Sequence, residues 1–129
     1  MLIIDTHRDL TTGIWREYRP GVRAKIRPLT RGVFRRLQQE AAVREPQAER
    51  GRRTVSQTVD PELFDRLLYR HVIEDWEGFA DTSGQPLPCS DALKDIVCDR
   101  LGAFAAWAME EAGLLAEQDD AVREEALKN

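Results

Sequence analysis

His71, Glu74 and Asp75 bring an imidazole close to two carboxylates within five residues of chain. Such a grouping could supply a general base with an acidic partner, or half of a metal site. It sits, however, on an apolar stripe of helical spacing, Leu63, Phe64, Leu67, Leu68, His71, Val72 and Trp76. A histidine on such a stripe is more often a core or boundary residue. No nucleophile elbow, phosphate-binding glycine loop or paired-cysteine motif accompanies it. Cys89 and Cys98 lack the short spacing of a zinc knuckle, and His7 and His71 are the two histidines that could complete such a site. Two cysteines make no disulfide framework, so reduced and partly buried thiols are expected. The expectation is no catalytic residue, no cofactor and no metal.

The stretch "DWEGFADTSGQPLPCS", residues 75–90, is the most sharply punctuated in the chain. A calcium loop would need a glycine at its sixth position and a bidentate glutamate at its twelfth. Counted from Asp81, those positions hold Pro86 and Ala92, so the calcium reading fails. As a connector the stretch makes sense. Asp81, Thr82, Ser83 and Gly84 are turn chemistry, and Pro86 and Pro88 stiffen a descent in which Leu87 tucks under the flanking helices. Its length favours a specific packed shape.

The elements around that loop follow from periodicity. Ile14, Arg16 and Tyr18 alternate with Trp15 and Glu17, then Pro20-Gly21 supplies a turn. Val22, Ala24 and Ile26 alternate with Arg23, Lys25 and Arg27, which predicts a half-buried antiparallel strand with a basic outer face. Pro28 ends the pairing. Thr30 caps a helix carrying Val33, Phe34, Leu37 and Ala41, with Arg31, Arg35 and Arg36 off the stripe and an end by Pro46. Residues 46–59 are polar and aperiodic and read as a mobile loop. Asp60, Pro61 and Glu62 open a second helix, expected to carry Trp76 and to stop at Gly78. Ser90 caps a third, whose stripe runs through Leu93, Ile96, Val97, Leu101, Phe104, Trp107 and Ala108. Gly102 is placed to break or bend it and Gly113 to end it. The remaining residues read as a frayed acidic helix.

These elements amount to one small, mainly helical α+β domain over 1–129. A basic β-hairpin (1–28) precedes a helical core of three to five helices (29–118) with its mobile loop (46–59), and an acidic tail (119–129) follows. At 129 residues the chain can bury one real core, and with 42% hydrophobic and 33% charged residues it is neither disordered nor membrane-spanning by composition. The apolar run Leu2, Ile3, Ile4 is stopped by Asp5, too soon for the core of a signal peptide. A cytoplasmic protein without a membrane partner is expected.

Charge is divided unevenly. Residues 1–60 hold 13 cationic and 7 anionic side chains, a balance of +6; residues 61–129 hold 6 and 16, a balance of −10. Either the two ends attract each other within the fold, or each meets a separate partner. The strip Arg16, Arg23, Lys25, Arg27, Arg31, Arg35 and Arg36, with Trp15 and Tyr18 as stacking platforms, keeps nucleic-acid binding open as an alternative function. The acidic C-terminal half argues against it.

One resemblance adds to this reading. The order Trp76, Gly78, Asp81, Gly84, Pro86-Leu87-Pro88, Ser90 resembles a motif of the small tail assembly chaperones of tailed bacteriophages and prophages. The upstream "VRAKIRPLTRGVFRRL" and the downstream "FAAWAMEEA" are similar to such proteins too, so the likeness covers roughly residues 13–112. The Arg-rich loop and Cys89 have no counterpart in it. The resemblance implies a non-enzymatic protein of virion morphogenesis in the bacterial host cytoplasm. It would bind the tape measure protein, a long helical chain prone to aggregate, bring tail tube subunits to it, and leave before the tail is complete. Self-association is compatible with that role. The residues expected to meet a partner are Arg23, Lys25, Arg27, Arg35, Trp76, Leu87, Phe104 and Trp107.

Overall fold

The computed structural model describes the backbone of residues 1–49 and 52–128, and the side chains of residues 1–43 and 58–117. Strands β1 (Ile14–Arg19) and β2 (Val22–Ile26) form the expected antiparallel hairpin. Gly21 has φ 81°, the positive value that a type II turn requires after Pro20. Ala24 and Ile26 point into the core and Arg23 to solvent, as the alternation predicts. Helix α1 (Arg31–Glu40) follows, and the Thr30 hydroxyl accepts the Val33 amide at 3.3 Å.

Two segments differ from expectation. Within 46–59, read as a loop, the described residues belong to strands β3 (Ala42–Glu49) and β4 (Arg52–Val59), paired antiparallel through eight residue pairs from Ala42↔Val59 to Glu49↔Arg52. Thr54, Val55, Thr58 and Val59 favour strand, but the segment lacks the apolar alternation by which a half-buried strand is recognised. The connection at residues 50–51 lies outside the described residues.

The second difference matters more. Helix α2 (Pro61–Val72) stops six residues before Gly78, and Ile73–Glu77 is a strand, β5, paired antiparallel with β2. The small sheet therefore runs β1-β2-β5. Trp76 is a strand residue opposite Ala24, where the small side chain leaves room for the indole. Arg23 faces Glu77 and Lys25 faces Asp75, so charge complementarity favours this register over one more helical turn. Between Lys25 and Ile26 the register shifts, and Glu74 is the residue passed over: a bulge that aims its side chain separately. Gly78 ends the strand with φ 98°. A Cβ there would lie 2.1 Å from the Gly21 carbonyl oxygen, so glycine lets the loop turn directly over the β1–β2 turn.

Beyond the loop, helix α3 (Asp91–Arg100) begins where expected, with the Ser90 hydroxyl accepting the Leu93 amide at 3.2 Å. The chain breaks at Leu101, and α4 (Gly102–Lys128) takes a new direction through Gly113 without interruption. The expected end at Gly113 is thus corrected, and the acidic stretch read as a helix continues α4; Asn129 lies outside the described residues. Four helices and a small antiparallel sheet make the α+β domain predicted. The core joins Ile26 of β2, Val72 of α2, Ile73 and Trp76 of β5, and Phe104, Ala108 and Leu115 of α4. No helix among the described residues is long and apolar enough to cross a membrane.

Trp76 is 4% exposed, and its indole Nε1 donates to the Leu87 carbonyl at 2.8 Å. It therefore pins the loop to the sheet. Trp76→Ala is expected to cost about 3–5 kcal/mol, the range for emptying a large aromatic site, measured by denaturant unfolding. A loss below about 1 kcal/mol would contradict this role.

Candidate functional site

The loop after β5 is built, not slack. The Asp81 carboxylate accepts the amides of Ser83 (2.9 Å) and Gln85 (3.0 Å) and the Ser83 hydroxyl (2.6 Å). These bonds hold the Asp81 carboxyl below the usual carboxylate range, with the Ser83 hydroxyl as the largest contribution. Gly84 supplies φ 85°, and the Leu87 amide returns to the Phe79 carbonyl at 2.9 Å. Leu87 packs against the core from the loop side, as expected.

The loop brings Phe79 into a continuous aromatic cluster. Phe79 meets Trp76 edge-on at 5.1 Å and Phe104 at 5.0 Å; Phe104 meets Tyr18 at 5.3 Å and Trp107 at 5.8 Å; Tyr18 meets Trp107 at 5.1 Å. Rings from β1, β5, the loop and α4 thus share one core, and edge-to-face pairs add to the burial of their area. Trp76 and Phe104 are interior residues, Phe104 at 0% exposure. Both were expected to meet a partner; both lie beneath the surface and support it. Trp107 is half-buried beside them.

Above this cluster lies an open, mostly apolar groove of about 430 Å³ between the β1–β2 hairpin and the α3–α4 break. Tyr18, Val22, Phe79, Leu101 and Ala103 line it. Leu101, expected on the buried stripe, is 45% exposed. Sequence periodicity misses this groove, since it joins residues more than eighty positions apart, and its one local signal is the Leu-Gly pair at a helix break.

The basic outer face of β2 is tied to the acidic half of the chain. Arg23 makes a two-point pair with Glu77, its Nε and Nη2 at 2.7 and 3.0 Å, and stacks over Trp15 at 4.3 Å. Glu74, at the bulge, accepts Lys25 at 2.7 Å, Arg27 at 3.2 Å and the Gly13 amide at 3.1 Å. Arg16 approaches Glu111 at 3.8 Å. Of the two explanations for the split charge, attraction within the fold accounts for these four cations. Arg35 stands apart, exposed on α1.

His71 and the cysteines are placed away from this groove's lining. Burial, then the Arg27 and Arg36 cations, push the imidazole pKa down, while a backbone bond at Pro28 opposes them. Its Nε2 is buried and has no hydrogen-bond partner among the described residues. Burial pushes the Cys89 thiol up to about 11 and the Cys98 thiol to about 12, so both are protonated at neutral pH. Among the described residues no three His, Cys, Asp or Glu side chains gather as a metal site.

Glu74 is held below its ordinary pKa, first by the Lys25 hydrogen bond and then by the Gly13 amide and the Lys25 and Arg27 charges, which together outweigh the desolvation that opposes them. A depressed carboxyl pKa contributes stability that is complete above the unfolded value and fades as pH falls through the folded one. Glu74→Gln is therefore expected to lose about 1–2 kcal/mol at neutral pH, allowing for the part-exposed carboxylate. The difference from wild type should shrink below the ordinary glutamate range, as followed by urea unfolding across pH. A difference independent of pH would contradict the bulge network.

No curated protein and no solved structure matches the chain. The model of the YdaY prophage protein family matches residues 33–129, from the first turn of α1 to the C-terminus, leaving the β1–β2 hairpin outside the match. That covers three quarters of the sequence, including the Trp76 loop, α3 and the helix break at Leu101. The chain belongs to the YdaY prophage protein family.

Proposed function

We propose that this prophage protein is a non-enzymatic tail assembly chaperone, which binds the tape measure protein and brings tail tube subunits to it in the bacterial host cytoplasm. The observation that carries the reading is the apolar groove over the aromatic cluster, with Leu101 exposed at its edge. An open apolar groove beside helices suits capture of an amphipathic helix, which is the character of a tape measure chain. The Trp76–Ser90 loop, on which the resemblance to tail chaperones rests, forms one wall of that groove through Phe79. Prophage family membership supplies a setting in which such a partner would be encoded nearby. The role requires no cofactor and no membrane.

The runner-up is nucleic-acid binding, favoured by the exposed Arg31 and Arg35 of α1. Against it, Arg23, Lys25 and Arg27 already face Glu77 and Glu74, which removes much of the phosphate footprint the strip would need.

Coexpression decides between the two. The protein should raise the soluble yield of the tape measure protein from the same prophage and copurify with it. Salt-sensitive capture of nucleic acid, with no effect on tape measure solubility, would reject the chaperone reading and promote the runner-up.

A further inference from the structure

Two arginines line the same groove as the apolar side chains, Arg19 from β1 and Arg100 from the end of α3. Both are exposed. Arg19 lies over the Tyr18 ring at 5.0 Å, and neither arginine enters an ion pair among the described residues. Among the described residues no carboxylate lines the groove. The first turn of α4, which forms its far wall, also carries no acidic residue.

This is unusual in a chain of net charge −4, whose other cations on the sheet are neutralised in place. The larger groove between α2 and α3, about 610 Å³, is lined instead by Glu62, Asp65, Asp95 and Asp99 with Arg66 and Arg100. Charge of one sign around an apolar floor thus marks the Leu101 groove.

We infer that the Leu101 groove takes one face of an amphipathic helix whose apolar side chains are flanked by carboxylates. The inference rests on the chaperone reading and specifies the segment of the tape measure protein that is bound. Apolar side chains enter between Tyr18, Phe79 and Leu101, and the flanking carboxylates meet Arg19 and Arg100. The apolar contact supplies most of the affinity, whereas the arginines fix register and speed the encounter. Because Phe104 and Trp76 are buried beneath, the groove exists before the partner arrives.

The test uses the full chain and labelled, overlapping helical segments of the same prophage's tape measure protein, with binding read by fluorescence anisotropy. Leu101→Asp and the double reversal Arg19→Glu/Arg100→Glu change exposed side chains, and thermal unfolding verifies that each variant is folded. Each should weaken binding of the best segment by about tenfold or more, equivalent to about 1.4 kcal/mol. Arg66→Glu, exposed on α2 outside the groove's lining, should leave it unchanged. Replacing the segment's carboxylates by amides should weaken binding to the wild-type chain and recover part of what the double reversal loses, because it removes the repulsion that the reversal creates. Wild-type binding that survives Leu101→Asp overturns the inference and leaves the chaperone reading standing. Loss with Leu101→Asp alone overturns the acidic requirement. A chain that binds no segment removes both.

Discussion

The indole of Trp76 is the point on which the architecture turns. Its ring fills the space that Ala24 leaves on the neighbouring strand, and its Nε1 proton satisfies the Leu87 carbonyl in the loop. A buried indole without that acceptor would carry an unpaired polar group, and the Leu87 carbonyl would lose its donor. One side chain therefore fixes the strand to the hairpin and the loop to the strand. Phe79 then has a defined place beside Phe104, and α4 has a defined direction. The bulge at Glu74 and the positive φ of Gly78 are the two backbone irregularities that let a helix, a strand and a tight loop follow one another within a few residues.

Charge is arranged around that frame so that most of it is spent internally. The basic strand faces the acidic strand, with Glu74 serving two cations and a backbone amide at once. Part-exposed pairs of this kind add modestly to stability, but they settle which strand lies beside β2 and in which register. Their consequence for function is subtractive. Once Arg23, Lys25 and Arg27 are occupied, the chain's recognition chemistry is left to exposed apolar surface and to a few cations outside the network. The groove at the α3–α4 break combines the two, and the proposed capture of an amphipathic helix draws on both.

Local chemistry was legible in the sequence wherever a residue acts on its own neighbours. Thr30, Asp60 and Ser90 cap the helices they were expected to cap, Pro20-Gly21 makes its turn, and Asp81 organises the loop. What was not legible depends on distant partners. Ile73 and Trp76 continue the spacing of α2 well enough to read as helix; only the presence of β2, with Ala24 and its cations, draws them into a strand. Strands β3 and β4 carry no alternation to announce them. The groove was invisible for the same reason, since Tyr18, Phe79 and Leu101 share no local pattern. Trp76 and Phe104 stood on the expected apolar stripes and are buried, although both had also been expected to meet a partner.

The proposed helical partner would lie in the groove between the β1–β2 hairpin and the start of α4. Hydrogen–deuterium exchange on the complex with the tape measure protein examines this without any substitution. Added protection is expected at residues 18–22, at Phe79 and over residues 100–105, with β2's charged face and α1 unchanged. Protection centred on α1 around Arg31 and Arg35, with the groove exchanging as in the free chain, would contradict it.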